Sequence, residues 1–182
     1  VRDRLQPELR GAVRSEVPVR LFVESVLPVD PARAWELFES EAFRVRLREK
    51  AKLTSEVLST RMEGGVEIRR LRFQSGNELP GVVAKLLGST HLRYEQENRL
   101  EASASRLTWT VALPVLTDRV KVSGVTTIYP HPDGCRRVVD GVCEVKVALV
   151  GGQIEKAVVG EFEKSMARAV EIVRDMIRER VG

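Results

Sequence analysis

The chain has 182 residues, 43% of them hydrophobic and 31% charged, with a net charge of +4. That composition suits a globular protein with a real core, and its apolar runs fall short of the roughly 18 residues a membrane span needs. The pI is near 9.3, yet arginines alternate with glutamates and only 5% of residues are aromatic. No nucleic-acid partner is therefore expected, and at most a peripheral membrane contact.

Residues 1–17, which begin VRDRLQPELRGAVRSE, have no apolar centre and do not read as a secretory signal. They are taken as an N-terminal arm ahead of a domain over 18–182. PVRLFVESVL from Pro18 to Leu27 reads as a first strand, with Val19, Leu21, Val23 and Ser25 on one face. Pro28 ends it. Asp30 is a helix N-cap candidate and Pro31 suits the first helical position; Ala34, Trp35, Leu37 and Phe38 then form a short apolar face. A second short helix over Glu41 to Lys52, with Phe43, Val45 and Leu47 among charges, is expected to pack only at one edge.

Strand signals follow. Leu53 to Arg61 and Val66 to Gln74 are joined by Met62, Glu63, Gly64 and Gly65, a hairpin link. The apolar element between Asn77 and Gly88 fits either a short helix or a loop lid. His91 to Glu101 alternates: Leu92, Tyr94, Gln96, Asn98 and Leu100 face one way, and charged residues the other. Arg106 to Leu113 places Leu107, Trp109, Val111 and Leu113 together, and Arg119 to Tyr129 places Val120, Val122, Gly124, Thr126 and Ile128 together. PHPDG from Pro130 to Gly134 is a turn. Cys135 to Val150 is the last strand, with Val139, Gly141, Cys143, Val145, Val147 and Leu149 on one face. Its two cysteines lie about 26 Å apart, beyond disulfide reach. Reduced thiols fit a cytoplasmic protein.

Gly151 and Gly152 are read as the reversal into a long amphipathic helix from Gln153 to Arg180. Ile154, Val158, Phe162, Met166, Ala169, Val173 and Met176 or Ile177 line its apolar stripe. The fold class is therefore α+β: one strand, two short helices, about six further antiparallel strands as a meander, and a long helix on the sheet.

Two segments carry a family likeness: VDPARAWELF at Val29 to Phe38, and VGGQIEKAVVGEFEKSMARAVEIV at Val150 to Val173. They resemble the START-like, or helix-grip, superfamily, which includes the birch-pollen allergen, polyketide cyclases and steroidogenic lipid-transfer domains. The segment from Val150 to Val173 is most similar to an uncharacterised bacterial group whose final helix begins Gly-Gly-x-Ile-Glu-Lys, and somewhat similar to intramitochondrial phospholipid-transfer domains. The likeness spans about residues 18–180 and rests on packing motifs. It implies a curved sheet of six or seven strands gripping the helix around a deep, mostly apolar tunnel. Such a fold does not fix an activity.

No metal-ligand cluster, phosphate loop or nucleophile elbow is legible, so no cofactor is expected and no catalytic residue is named. His91 and His131 stand alone; His131 and Asp118 fit turns better than acid–base work. The glycine pair before the last helix is read as a tight turn rather than an anion site, and Glu155 beside it opposes an anion. The candidate ligand contacts are Tyr94, Gln96, Asn98, Trp109, Thr126, Phe162 and Met166, polar or aromatic groups on inward faces. Arg70 and Arg72 are weighed as inward cations, with solvation favoured. The leading expectation is a carrier or sensor of a hydrophobic small molecule or lipid, gated by Leu79 to Leu87 and the start of the last helix. The alternatives are a polyketide cyclase or aromatase, and a module whose exposed Val82, Val83, Leu86 and Leu87 dock a protein partner.

Overall fold

The computed structural model describes residues 18–116, 118–147 and 151–181, without the side chains of residues 180 and 181. The expected N-terminal arm, and Leu149 and Val150 of the expected last strand, lie outside these residues. The element order is β1 (Val19–Leu27), α1 (Pro31–Glu39), α2 (Glu41–Ala51), β2 (Leu53–Glu63), β3 (Val66–Glu78), α3 (Gly81–Leu87), β4 (His91–Glu101), β5 (Arg106–Ala112), β6 (Val120–His131), β7 (Gly134–Val145) and α4 (Gly151–Val181). A 3-10 turn at Ala102–Ala104 links β4 to β5.

The seven strands form one antiparallel curved sheet in the order β1-β7-β6-β5-β4-β3-β2. Strands β2 to β7 are the expected meander, because each is joined to the next by a short connection. The first strand instead pairs with β7, Leu21 opposite Gly141 and Ser25 opposite Arg137, so α1 and α2 carry the chain from one sheet edge to the other. Chemistry of the caps fixes that crossover. Asp30 Oδ1 accepts from the Arg33 N–H at 2.9 Å, with Pro31 at the helix start. Ser40 both closes α1, its N–H donating to Leu37 O at 3.3 Å, and opens α2, its Oγ accepting from the Phe43 N–H at 3.1 Å. Lys52 then ends α2 with φ 51°.

Several boundaries differ from the reading of the sequence. Met62 and Glu63 belong to β2, and the hairpin turn is Gly64–Gly65 alone, with φ of 56° and 83°, the positive pair a two-residue turn of type I′ requires. Residues Gly76–Gly88 hold a helix rather than a loop lid. In α3 the i, i+4 spacing turns Val83 and Leu87 inward with Leu79, while Val82 and Leu86 stay exposed. The four-residue docking patch is thus cut to two. Strand β7 stops at Val145, and Gly151 and Gly152 are the first turn of α4 rather than a reversal before it.

At 31 residues, α4 is about 46 Å long, and it meets two different environments. Its C-terminal half puts Ala169, Val170, Ile172, Val173 and Met176 into a closed cluster with Ala34, Leu37, Phe43 and Leu47 of α1 and α2. Helix α2 is accordingly packed through Phe43 and Leu47, more than edge-on. Ion pairs Arg46–Glu179 and Lys50–Asp175 run along its rim, exposed and individually weak. The N-terminal half is different. From 151 to 168, Ile154 alone is fully buried, and Val158, Val159, Phe162 and Met166 border the second cluster around Leu21, Leu92, Trp109, Val122 and Val139.

Candidate functional site

Between that N-terminal half of α4 and strands β4 to β7 lies a cavity of about 150 Å³. Inward positions on the strands supply one wall: Leu92, Tyr94 and Gln96 from β4, Trp109 from β5, Thr126 from β6, Arg137 and Val139 from β7. Val158, Glu161, Phe162, Ser165 and Met166, at helical spacing of three and four, supply the other. Six of the seven candidate residues come together here: Tyr94, Gln96, Trp109, Thr126, Phe162 and Met166. Asn98 does not line the cavity. It lies two residues further along β4, where its Oδ1 accepts from Gln96 Nε2 at 2.7 Å and so orients the glutamine.

The cavity is smaller than the tunnel the resemblance implies, because large side chains fill the interior. Trp109 is 5% exposed and its indole faces the Phe162 ring at 5.8 Å; Tyr94 stacks on Phe73 at 5.0 Å. Trp109 fits only because the strands beneath it are bare. Gly124 is opposite Trp109 and Gly141 opposite Gly124, and a Cβ on Gly124 would lie 2.4 Å from Trp109 Cζ2.

Glu161, absent from the candidates, sits where the cavity meets a wider cleft of about 460 Å³ between α4 and the α2–β2 junction. Its Oε1 accepts from Ser75 Oγ at 2.8 Å and from Asn77 Nδ2 at 3.2 Å. Burial holds the Tyr94 phenol above the usual tyrosine range, and the Glu161 charge adds to the effect. Lys50, Lys52, Lys164 and Arg168 line the cleft against Glu161 and Glu171.

The other missed residue is Arg137. Arg70 and Arg72 prove exposed, both donating to Glu95 at 3.0 and 3.1 Å, whereas Arg137 points inward and is 8% exposed. Its guanidinium lies over the Phe38 ring, 4.6 Å from the centroid, and Nη2 reaches Met166 Sδ at 3.7 Å. Nη1 has no hydrogen-bond partner, and no carboxylate pairs with the side chain among the described residues. Burial alone pushes its pKa down to about 10, so it stays charged at neutral pH. Strict alternation from Cys135 through Val139 would have placed it on the inward face; its charge masked that signal.

Little here suits covalent chemistry. Cys143 is fully buried, and burial, with Glu155 adding, pushes its thiol up to about 11. Cys135 and Cys143 are both unpaired. His131 closes β6 outside the cavity lining, its Nδ1 accepting from the Asp133 N–H at 3.2 Å. Among the described residues no cluster of three metal-ligating side chains occurs and no helix is long and apolar enough to cross a membrane.

A sequence profile of the family described as "Protein of unknown function (DUF2505)" matches residues 23–177, so the chain belongs to that family. Among curated proteins none matches. Similar solved structures include TTHA0849 from Thermus thermophilus, at 17% identity and TM-score 0.64, covering 90% of this chain and 100% of that one. The Zhui aromatase/cyclase from Streptomyces sp. R1128 aligns at 12% identity and TM-score 0.64 over 91% and 97% of the two chains. A protein of unknown function from Staphylococcus aureus, SA2116, aligns at 12% and 0.57 over 90% and 98%. At these identities the likeness establishes the helix-grip fold and nothing finer.

Proposed function

We propose that this member of the DUF2505 family binds a hydrophobic small molecule, or the apolar end of a lipid, in the cavity under α4. The observation that carries the reading is the cavity's lining: aromatic and aliphatic walls with a few inward polar groups, the usual make-up of a small-molecule site. Aromatase/cyclases and other helix-grip proteins among the structural neighbours are consistent with it. Size limits the guest. A cavity of 150 Å³ is comparable to an engineered protein cavity that takes up benzene, so one ring or a short chain fits and a whole lipid does not.

Energy sets a second limit. An aromatic body burying about 150–250 Å² gains roughly 4–6 kcal/mol, before the cost of immobilising it. Apolar burial alone therefore gives binding no tighter than about millimolar to tens of micromolar. A useful affinity needs a polar contact as well. Entry requires opening, and the sparsely buried stretch of α4 from 151 to 168 together with α3 forms the gate.

The test is to purify the protein under mild conditions, record its native mass, and identify what denaturation releases. A defined hydrophobic compound at near-stoichiometric amount supports the reading. An empty protein that also takes up no small aromatic or short-chain probe refutes it. Conversion of a bound compound to a product would move the reading from carriage to the cyclase alternative.

A further inference from the structure

We infer that the guest is a monoanion, a compact hydrophobic carboxylate whose charged end meets Arg137. The inference rests on the cavity reading above and adds the chemistry of the recognised group. Arg137 lines the cavity, is 8% exposed, and has Nη1 without a partner. Directly opposite it across the β1–β7 ladder stands Ser25, whose hydroxyl is also buried without a partner. Two unsatisfied polar groups on facing residues are unusual in a folded core. A buried charge without a counter-ion is more so, because burying one costs several kcal/mol unless it is paired. Phe38 stacks on the guanidinium and Met166 Sδ takes its Nη2 edge, which leaves the Nη1 side of the donor fork for something else.

A carboxylate matches that fork in shape and in charge. A phosphate monoester matches the shape, but with up to two charges it would leave one uncompensated beside a single cation. The guest's orientation follows from the rest of the lining. Glu161 and Tyr94 belong to the side of the cavity reached through β4, three strands from β7, or about 14 Å along the sheet. A carboxylate is repelled there and drawn to Arg137. With Asp175 paired to Lys50 counted in, the cleft that shares Glu161 and Ser165 with the cavity carries four cationic side chains against three carboxylates, a slight bias that favours anions on approach.

The experiment is calorimetric titration of the full chain at pH 7 with toluene, phenylacetate, phenylacetamide and phenyl phosphate. The wild type is expected to bind phenylacetate at least about tenfold more tightly than phenylacetamide, with phenyl phosphate weaker than phenylacetate. Arg137→Met is expected to erase the acid-over-amide preference while keeping toluene, and Arg137→Lys to retain part of it. Toluene binding with equal affinity for acid and amide overturns the carboxylate and leaves the cavity reading standing. Tighter phenyl phosphate overturns it in favour of a phosphate. If none of the four binds, the cavity reading falls and this inference with it. Should Arg137→Met fail to fold, the wild-type series still decides.

Discussion

The two halves of α4 do opposite things with the same kind of stripe. From Ala169 to Met176 the helix closes against α1 and α2, with Ile172 and Val173 at 0% exposure. From Gly151 to Arg168 only Ile154 is fully buried, and the inward residues face a cavity. Apolar spacing is therefore no measure of packing. What differs is the opposing surface: α1 and α2 fill the concave sheet at one end, and among the described residues only the seven-residue α3 does so at the other. Stability is concentrated at the first end, which leaves the second free to open.

This contrast can be tested hardest in the packed half. Ile172→Ala should cost about 2–5 kcal/mol in urea unfolding, whereas Phe162→Ala, which borders space already present, should cost roughly 1–2 kcal/mol. Equal losses would mean the two halves are packed alike. Next in size, Gly124→Ala places a methyl 2.4 Å from Trp109 Cζ2 and 2.5 Å from Asp140 O. It should destabilise the cavity end by about 1–3 kcal/mol and shift the tryptophan emission as the indole moves.

The ends should also differ in their response to pH. Hydrogen bonds from Lys50 and Arg178 hold Asp175 below the usual carboxylate range, and Arg46 does the same for Glu179. Lowered carboxylates contribute stability that is present above their unfolded values and lost as pH falls through the folded ones. Acid unfolding followed by circular dichroism should therefore start below about pH 4, and Lys50→Met should blunt that dependence. At the cavity end Arg20 and Lys146 lower Asp140 and Glu144 in the same way, and Tyr94 adds an effect of the opposite sign. The raised Tyr94 pKa means the unfolded chain gives up that proton first, so this group's contribution is lost as pH rises above about 10. Ultraviolet titration should show a late phenol ionisation that Tyr94→Phe removes. The smallest effect belongs to Gly160, mid-helix with open space where a Cβ would stand. Gly160→Ala should stabilise by about 0.4–1 kcal/mol and, if the cavity half of α4 bends during entry, slow probe exchange.

How much is legible in the sequence depends on whether a residue obeys its local pattern. The alternation in His91–Glu101 sets that strand at its observed bounds, and the three–four stripe places α4 to within two residues at its start. Asp30 and Pro31 announce α1. The misses are places where tertiary context decides. Arg137 breaks the apolar alternation of β7 while keeping its geometry, so apolar residues alone do not reveal it. Asn98 keeps the alternation of β4 but lies beyond the cavity's end, which strand parity cannot tell. Val83 and Leu87 read as exposed because a seven-residue helix shows its inward face only once its neighbours are placed. Glu161 shares the spacing of the inward stripe, three residues after Val158, but its charge hides it and its partners Ser75 and Asn77 are more than eighty residues away in the chain.

The bare strip under Trp109 has a consequence for how the sequence can vary. Residues 109, 124 and 141 sit side by side on three adjacent strands, and one indole spans both glycines, since a Cβ at Gly141 would lie 2.7 Å from Trp109 Cη2. Backbone closes both glycine positions as well: a Cβ at Gly124 would lie 2.5 Å from Asp140 O, and one at Gly141 2.6 Å from Ser123 O. A smaller ring at 109 therefore admits no side chain at either position, but it would open the cavity toward β7. A library that randomises the three together should return folded members that keep both glycines and differ in the ring at 109, and that ring would set the size of guest each member accepts.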